Sequence, residues 1–438
     1  MQRTQLASLI AGICLAIDAQ AMTLLEAFNA AQAYDSQLAS ARGARDAAHE
    51  KSTQGFAGLL PTVSATASIN RINADITIAN QDPLHRDYTQ EVYQLQLRQP
   101  IYNRNNFDVY EQSKLQVTAG DIQYEQARND LALRVAQAYF DVLAAQDVIA
   151  FIRAQKAAIT EQLESAKRNF EVGTATITDT HEAQARFDLA IAQEIAAEND
   201  LEVKRNAFAV VTGQLPPELQ SLRSGLKLSS PEPSSMDKWV QSAEAGNFGV
   251  VAQSLVAEIA KLEIRRNRSG HLPTLDAVAV GSQRKDLTFT SPTVTNTTAL
   301  GVQLTIPLFS GFLTTSRVRE AIALENQARS DLDTAKRSAM QSARSAYLGV
   351  QSGLSQIRAL EAAEVSSNSA LESNKLGYDV GVRINIDVLN AQQQLYSTRR
   401  DLAKARYDTL VNGLRLKAAA GTLGEVDLAE LNALLDMR

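Results

Sequence analysis

Cysteine is almost missing from this 438-residue chain: the only copy, Cys14, lies in an apolar N-terminal stretch. Beyond that stretch neither a disulfide framework nor a cysteine metal site can be built. Histidine is equally sparse, and His49, His85, His181 and His271 show no ligand spacing. His181-Glu182 lacks the second histidine that a zincin helix places four residues after its first. There is no phosphate-binding glycine loop and no nucleophile elbow, so the sequence carries no enzyme signature and calls for no cofactor. With 10 prolines, 21 glycines and 5% aromatic residues, the composition also argues against a loop-rich globular domain. The formal net charge of -6 leaves no electrostatic footprint for nucleic acid.

What the chain does have is Ala, Gln, Glu, Leu and Arg over long stretches, the profile of extended helices. Residues 1–21 read as a secretory signal, with Arg3 in the positive n-region, an apolar run over 6–17 and an Ala19-Gln20-Ala21 cleavage site. That run is too short to span a bilayer. The residues before Cys14 depart from a lipobox, so the expected mature chain starts near Met22, exported and without lipid.

The most informative stretch is 377–393, GYDVGVRINIDVLNAQQ, because it has a counterpart in FEVGTATITDTHEAQ from Phe170. Gly173 and Gly381 are 208 residues apart, as are Asp179 and Asp387. A spacing near half the chain points to an internal duplication. The first copy spans 22–212: a helix, strands near 62–70 and 92–101, a long helix over 103–170, a tip turn over 171–179 and a return helix over 180–212. A proline- and serine-rich linker follows over 213–235. The second copy, 236–421, repeats the order with strands near 274–282 and 299–308, a long helix over 313–376, a tip turn over 377–387 and a return helix over 388–420. Residues 422–438 close the chain.

The strands alternate, that over 275–281 less cleanly than the others. Val63, Ala65, Ala67 and Ile69 alternate with Thr62, Ser64, Thr66 and Ser68, while Leu300, Val302, Leu304 and Ile306 bracket Gln303 and Thr305. The helices follow another rule. Leu131, Val135, Ala138, Val142, Ala145, Ile149 and Ile152, then Ile159, Leu163, Ala166 and Phe170, step by four and three, broken only at Lys156. This heptad pattern predicts a coiled coil about 100 Å long. The return helix continues it through Ala183, Phe187, Ala190, Ala197, Leu201, Phe208 and Val211, with Glu194 and Lys204 as polar exceptions.

Strands of about ten residues with one apolar face have the length and pattern of bilayer-spanning barrel strands. Four strands cannot close alone, and open edges are not tolerated in lipid. Three chains supply twelve strands and a water-filled lumen, whereas the eight of a dimer leave an interior packed with side chains. Tyr102, Phe309 and Phe312 suit the aromatic girdle of such a barrel. The alternative reading is a non-conducting structural coiled-coil protein of the envelope, its strands an ordinary cap.

The doubled order of strand pair, long helix, Val-Gly turn and return helix resembles the TolC family of outer-membrane efflux and secretion channels over essentially the whole mature chain. The most specific pieces are Tyr378-Asp379-Val380-Gly381-x-Arg383, Ile386-Asp387-Val388-Leu389 and Gly421-Thr422-Leu423. The resemblance implies a mainly helical fold with transmembrane β-structure. In it a trimeric, 12-stranded outer-membrane barrel, four strands per chain, continues into a periplasmic helical coiled-coil barrel. It also implies a homotrimer embedded in outer membrane lipid that works with a periplasmic adaptor and an inner-membrane transporter of the ABC, RND or MFS type, exporting small molecules or proteins. By position, Thr178, Asp179, Tyr378 and Arg383 become a latch closing the periplasmic gate. Asp387 supplies a constriction carboxylate ring, and the turns at Gly173 and Gly381 meet the adaptor. Charge-assisted bonds of this kind are individually modest and breakable. The same residues can be read as helix caps, with Asp179 and Asp387 as the N-caps of their return helices. Where relatives often carry a second acid, one turn after Asp387, this chain has Asn390, and the expected cation selectivity is weaker. Arg265, Arg266 and Arg268 read as a solvated helix face.

Overall fold

The computed structural model describes residues 21–77, 79, 82–223, 225–288 and 292–436. The expected secretory signal, residues 1–20, therefore lies outside the described residues. In chain order the elements are α1 (Leu24–Tyr34), α2 (Ser36–Ala57), β1 (Thr62–Ile76), β2 (Leu84–Tyr102), α3 (Arg104–Glu171) and α4 (Ile177–Thr212). A short β3 (Ser221–Leu222) and α5 (Met236–Gly246) lead into α6 (Phe248–Arg268), β4 (Thr274–Leu287), β5 (Thr293–Thr305), α7 (Leu313–Asp379) and α8 (Asn385–Ala419). α9 (Glu425–Asn432) and β6 (Leu435–Asp436) end the described chain. The chain divides into two compact units. One comprises Met1–Ala41, Glu125–Phe248 and Lys336–Arg438, the other Arg42–Tyr124 and Gly249–Ala335.

The second of these units holds a four-stranded sheet in the order β1-β2-β4-β5, every neighbouring pair antiparallel. Because side chains alternate with period two, register decides what each face is made of. Pairing sets Val63 opposite Leu97, Ala65 opposite Leu95, Leu97 opposite Ala279 and Ala279 opposite Leu300. A single apolar face thus runs across all four strands. The other face sets Ser64 opposite Gln96 and Thr66 opposite Gln94. The strands run past the apolar windows. β1 and β2 continue pairing through mixed side chains, with Ile72 opposite Tyr88 and Ile76 opposite Leu84, Arg71 donating to Asp87 at 3.0 Å and His85 bonded to Asp75 at 2.6 Å. The apolar residues of the β1 extension, Ile72, Ala74 and Ile76, fall on the opposite parity from Val63, Ala65, Ala67 and Ile69, so the period-two pattern breaks at Arg71 and hides the rest of the strand. β5 stops earlier than expected, at Thr305 rather than near residue 308. Pro307 follows and has no N–H to donate to a ladder.

In the same unit Gly120, the lone glycine of α3's first half, faces Ala48 of α2, where an added Cβ would lie 2.6 Å from the alanine methyl. It is kept small by close helix approach. Arg265, expected on a solvated face, keeps its side chain 42% exposed and is ion-paired as well. Its guanidinium donates to Asp108 at 2.6 Å, and Arg104 approaches the same fully buried carboxylate at 3.0 Å. A buried carboxylate requires such partners.

The other unit is mainly helical, with β3 and β6 paired in a small two-stranded sheet. Leu131, Val135, Val142, Ile149, Ile159, Leu163 and Ala166 of the α3 seam are buried, as are Ala183, Ala190 and Phe208 of α4. Phe170, the last seam position, is exposed. The polar exceptions of the two helices answer one another: Lys156 bonds Glu194, Arg153 donates to Glu194 at 3.1 Å, and Lys204 reaches Asp141 at 3.4 Å. Tyr139 donates to the carbonyl of Met22 at 2.8 Å, tying the start of the described chain to α3, and its burial raises the phenol pKa.

Candidate functional site

Both hairpin tips lie in the helical unit, one joining α3 to α4 and the other α7 to α8. At the first, Gly173 has φ +79°; at the second, Gly381 has φ +75°. The left-handed conformation is free of steric penalty only for glycine, which explains the Val-Gly pair in each copy. The same backbone bonds close both turns. Gly173 N–H donates to Phe170 O at 3.0 Å and Gly381 N–H to Tyr378 O at 3.0 Å, while Thr174 N–H bonds Asn169 O and Val382 N–H bonds Gly377 O, each at 2.8 Å.

The two tips differ at the start of the return helix. In the first, the N-cap of α4 is Thr176, whose hydroxyl accepts from Asp179 N–H at 3.3 Å. The Asp179 carboxylate accepts in turn from Thr176 N–H at 2.9 Å and from its hydroxyl at 2.8 Å. This is a closed capping box. Asp179 is therefore the third residue of the helix, not its N-cap. In the second tip the N-cap position holds Ile384, which makes no side-chain cap bond. Asp387 is likewise not an N-cap. Its carboxylate faces Arg383 at 3.6 Å, with the Arg383 side chain 58% and the Asp387 side chain 33% exposed.

The latch candidates are not all joined within one chain. Thr178 is exposed. Among the described residues the Asp179 carboxylate reaches neither Tyr378 nor Arg383. Tyr378, half-buried against the cluster of Leu371, Val388 and Leu395, accepts from Asn169 Nδ2 at 3.1 Å. The hairpins are instead bolted by amides. Asn385, fully buried at the first turn of α8, donates to the backbone carbonyl of Asp179 at 3.1 Å and accepts from Gln162 at 2.5 Å. Arg186 of α4 donates to Gln393 at 2.6 Å and to Asn390 at 3.0 Å. Below the polar bolts, Ile159, Leu163, Ala183, Ala190 and Leu389 form one apolar cluster that includes both hairpins. Sequence reasoning missed Asn169, Gln162, Asn385 and Arg186, because an amide on a polar helix gives no periodic signal. The one available hint was Asn385 standing where the first copy has Ile177.

Comparison with known families matches outer membrane efflux protein over residues 27–214 and again over 239–422, one match for each copy of the duplication. The chain belongs to the outer membrane efflux protein family. It is 36% identical over 417 residues to the outer membrane protein TolC of Vibrio cholerae, covering 94% of each chain. It is 32% identical over 426 residues to the proteases secretion protein PrtF of Dickeya chrysanthemi, covering 95% of this chain and 91% of that relative. Among solved structures, the outer membrane protein VceC from Vibrio cholerae shares the fold with a TM-score of 0.78 at 18% identity, over 91% of this chain and 96% of its own. This outer membrane efflux protein resides in the outer membrane.

Proposed function

We infer that this outer membrane efflux protein is a passive exit duct for efflux and type I secretion, assembled as a homotrimer. The observation that carries the assembly is the sheet: β1 and β5 are both open edges, and one apolar face spans all four strands. In lipid those edge groups require partners. Because the strand direction alternates across an even number of strands, β5 of one copy runs antiparallel to β1 of the next, and rotation closes the ring. Three copies make a twelve-stranded barrel with a polar lumen. The efflux description of its family and the name of a relative, a proteases secretion protein, support efflux and protein export.

The helical tips form the gate. Tyr378 and Arg383 make breakable polar contacts, with Asp179 and Thr178 of the neighbouring hairpin as further partners across the trimer. Asp387, released from capping, supplies the constriction carboxylate, and three such groups favour cations. The Gly173 and Gly381 turns, flanked by exposed Val172, Val380 and Val382, meet a periplasmic adaptor that recruits the inner-membrane transporter. Planar-bilayer recording of purified protein tests the reading. We expect single-channel currents, and a several-fold larger conductance when Tyr378→Phe and Arg383→Ser are combined. Unchanged conductance in that variant removes the latch assignment, and persistent absence of current favours the non-conducting coiled-coil alternative.

A further inference from the structure

Arg186 combines a fixed charge with a neutral anchorage. Its guanidinium bridges from α4 to α8 through Gln393 Oε1 at 2.6 Å and Asn390 Oδ1 at 3.0 Å. Both acceptors are uncharged amides, and among the described residues no carboxylate lies within ion-pair distance of it. The acids flanking it on α4 are Glu182, one turn earlier and not ion-paired to it among the described residues, and Asp188, which Gln184 bonds at 2.9 Å. An arginine stays protonated in any accessible pH range, so its charge is held in place without being cancelled. Asn390 follows Asp387 by three residues on α8, and side chains at that spacing share a helix face. The fork that holds Asn390 is therefore brought to the face that carries the Asp387 carboxylate.

We propose that Arg186 is a selectivity-determining residue of the conduit, placing a positive charge one helical turn from Asp387 and offsetting the attraction of that carboxylate for cations. The proposal rests on Asp387 lining the constriction. A carboxylate at 390 would pair with the guanidinium and remove its field, whereas Asn390 fixes the fork and leaves the field intact. Three such charges oppose three carboxylates in the trimer, and the two rings set the permeant ion together.

The test is the zero-current potential of single trimers under a potassium chloride gradient, for the wild type, Asp387→Ala, Arg186→Gln and Arg186→Lys. Removing the charge with Arg186→Gln raises the cation-to-anion permeability ratio by about twofold to threefold at about 0.1 M salt. Arg186→Lys, which keeps the charge but loses the fork, retains the wild-type ratio. If Asp387→Ala shifts the potential and Arg186→Gln does not, the role of Arg186 is overturned while the constriction reading stands. If neither shifts it, both fall. Equal shifts in Arg186→Gln and Arg186→Lys assign the effect to lost hydrogen bonds and also overturn the proposal. Arg186→Cys in a Cys14→Ser parent gives a check that does not depend on comparing folded variants, because the thiol is then unique. A cationic thiol reagent added to the open channel restores the wild-type ratio and an anionic one raises it further; equal effects of the two reagents contradict the proposal.

Discussion

The two hairpin tips share a backbone and differ in what the backbone leaves free. Both turn on a left-handed glycine and close with equivalent main-chain bonds. In the first, Thr176 and Asp179 satisfy each other and the start of α4. In the second, Ile384 cannot cap, and the equivalent carboxylate of Asp387 faces Arg383 instead. One substitution of a cap residue thus separates a carboxylate that holds a helix together from one that is available for other work. Duplication preserves geometry cheaply, because glycine and main-chain bonds specify it; side-chain roles then diverge without disturbing the turn.

The strongest way to break this comparison is to remove the cap that distinguishes the first tip. Thr176→Ala should destabilise the start of α4 by about 1–2 kcal/mol, read as faster hydrogen exchange at residues 177–180 with no change at 385–388. Loss of protection in both tips would show that the tips are not independent.

The converse substitution sharpens it. Ile384→Thr installs the missing cap and draws Asp387 into a capping box, stabilising the first turn of α8 by about 0.5–1 kcal/mol. The same change should lower cation preference in bilayer recordings, since the carboxylate is then occupied. A gain in protection without any change in selectivity would separate Asp387 from ion passage.

The smallest effect concerns the stem below the first tip. The hydrogen bond from Lys156, with that from Arg153, holds the Glu194 carboxyl below its ordinary value. A carboxylate with a lowered folded pKa contributes stability that is fully present above its unfolded pKa, about 4.3, and is lost as pH falls through the folded value. Hydrogen-exchange protection in the α3–α4 stem, taken relative to the intrinsic exchange rate at each pH, should therefore fall below about pH 4, and Glu194→Gln should flatten that pH dependence. A stem whose protection falls equally in the variant would place the titration elsewhere.

Much of this was legible before any coordinates. The duplication comes from a motif that recurs 208 residues on, while the strand pairs and the heptad seam come from periodicity, which reports burial, and seam residues such as Leu131, Val135 and Leu163 are buried as their spacing demands. The glycine turns were legible from the repeated Val-Gly pair, since few residues tolerate positive φ. Polar partnerships were not. The exceptions at Lys156 and Glu194 looked like independent flaws in two helices and are one ion pair. Arg265 looked solvent-facing and holds a buried Asp108. The helix-cap reading of Asp179 and Asp387 was displaced from their positions, because the distance from turn to first helical residue depends on how the left-handed glycine redirects the chain.

The sequence by itself determined the principal helices and strands, that they occur twice, and that most of the strands have one apolar face. Those properties are local, set by side-chain period and by backbone conformational preference. Only the tertiary structure decided the register that merges four apolar strand faces into one. It alone assigned Asp179 to its own helix and left Asp387 facing Arg383. It alone brought Arg186 to Asn390 across 204 residues of chain. Hydrogen bonds and charges act over a few ångströms between groups that sequence spacing does not bring together, so their pairing is settled when the helices pack.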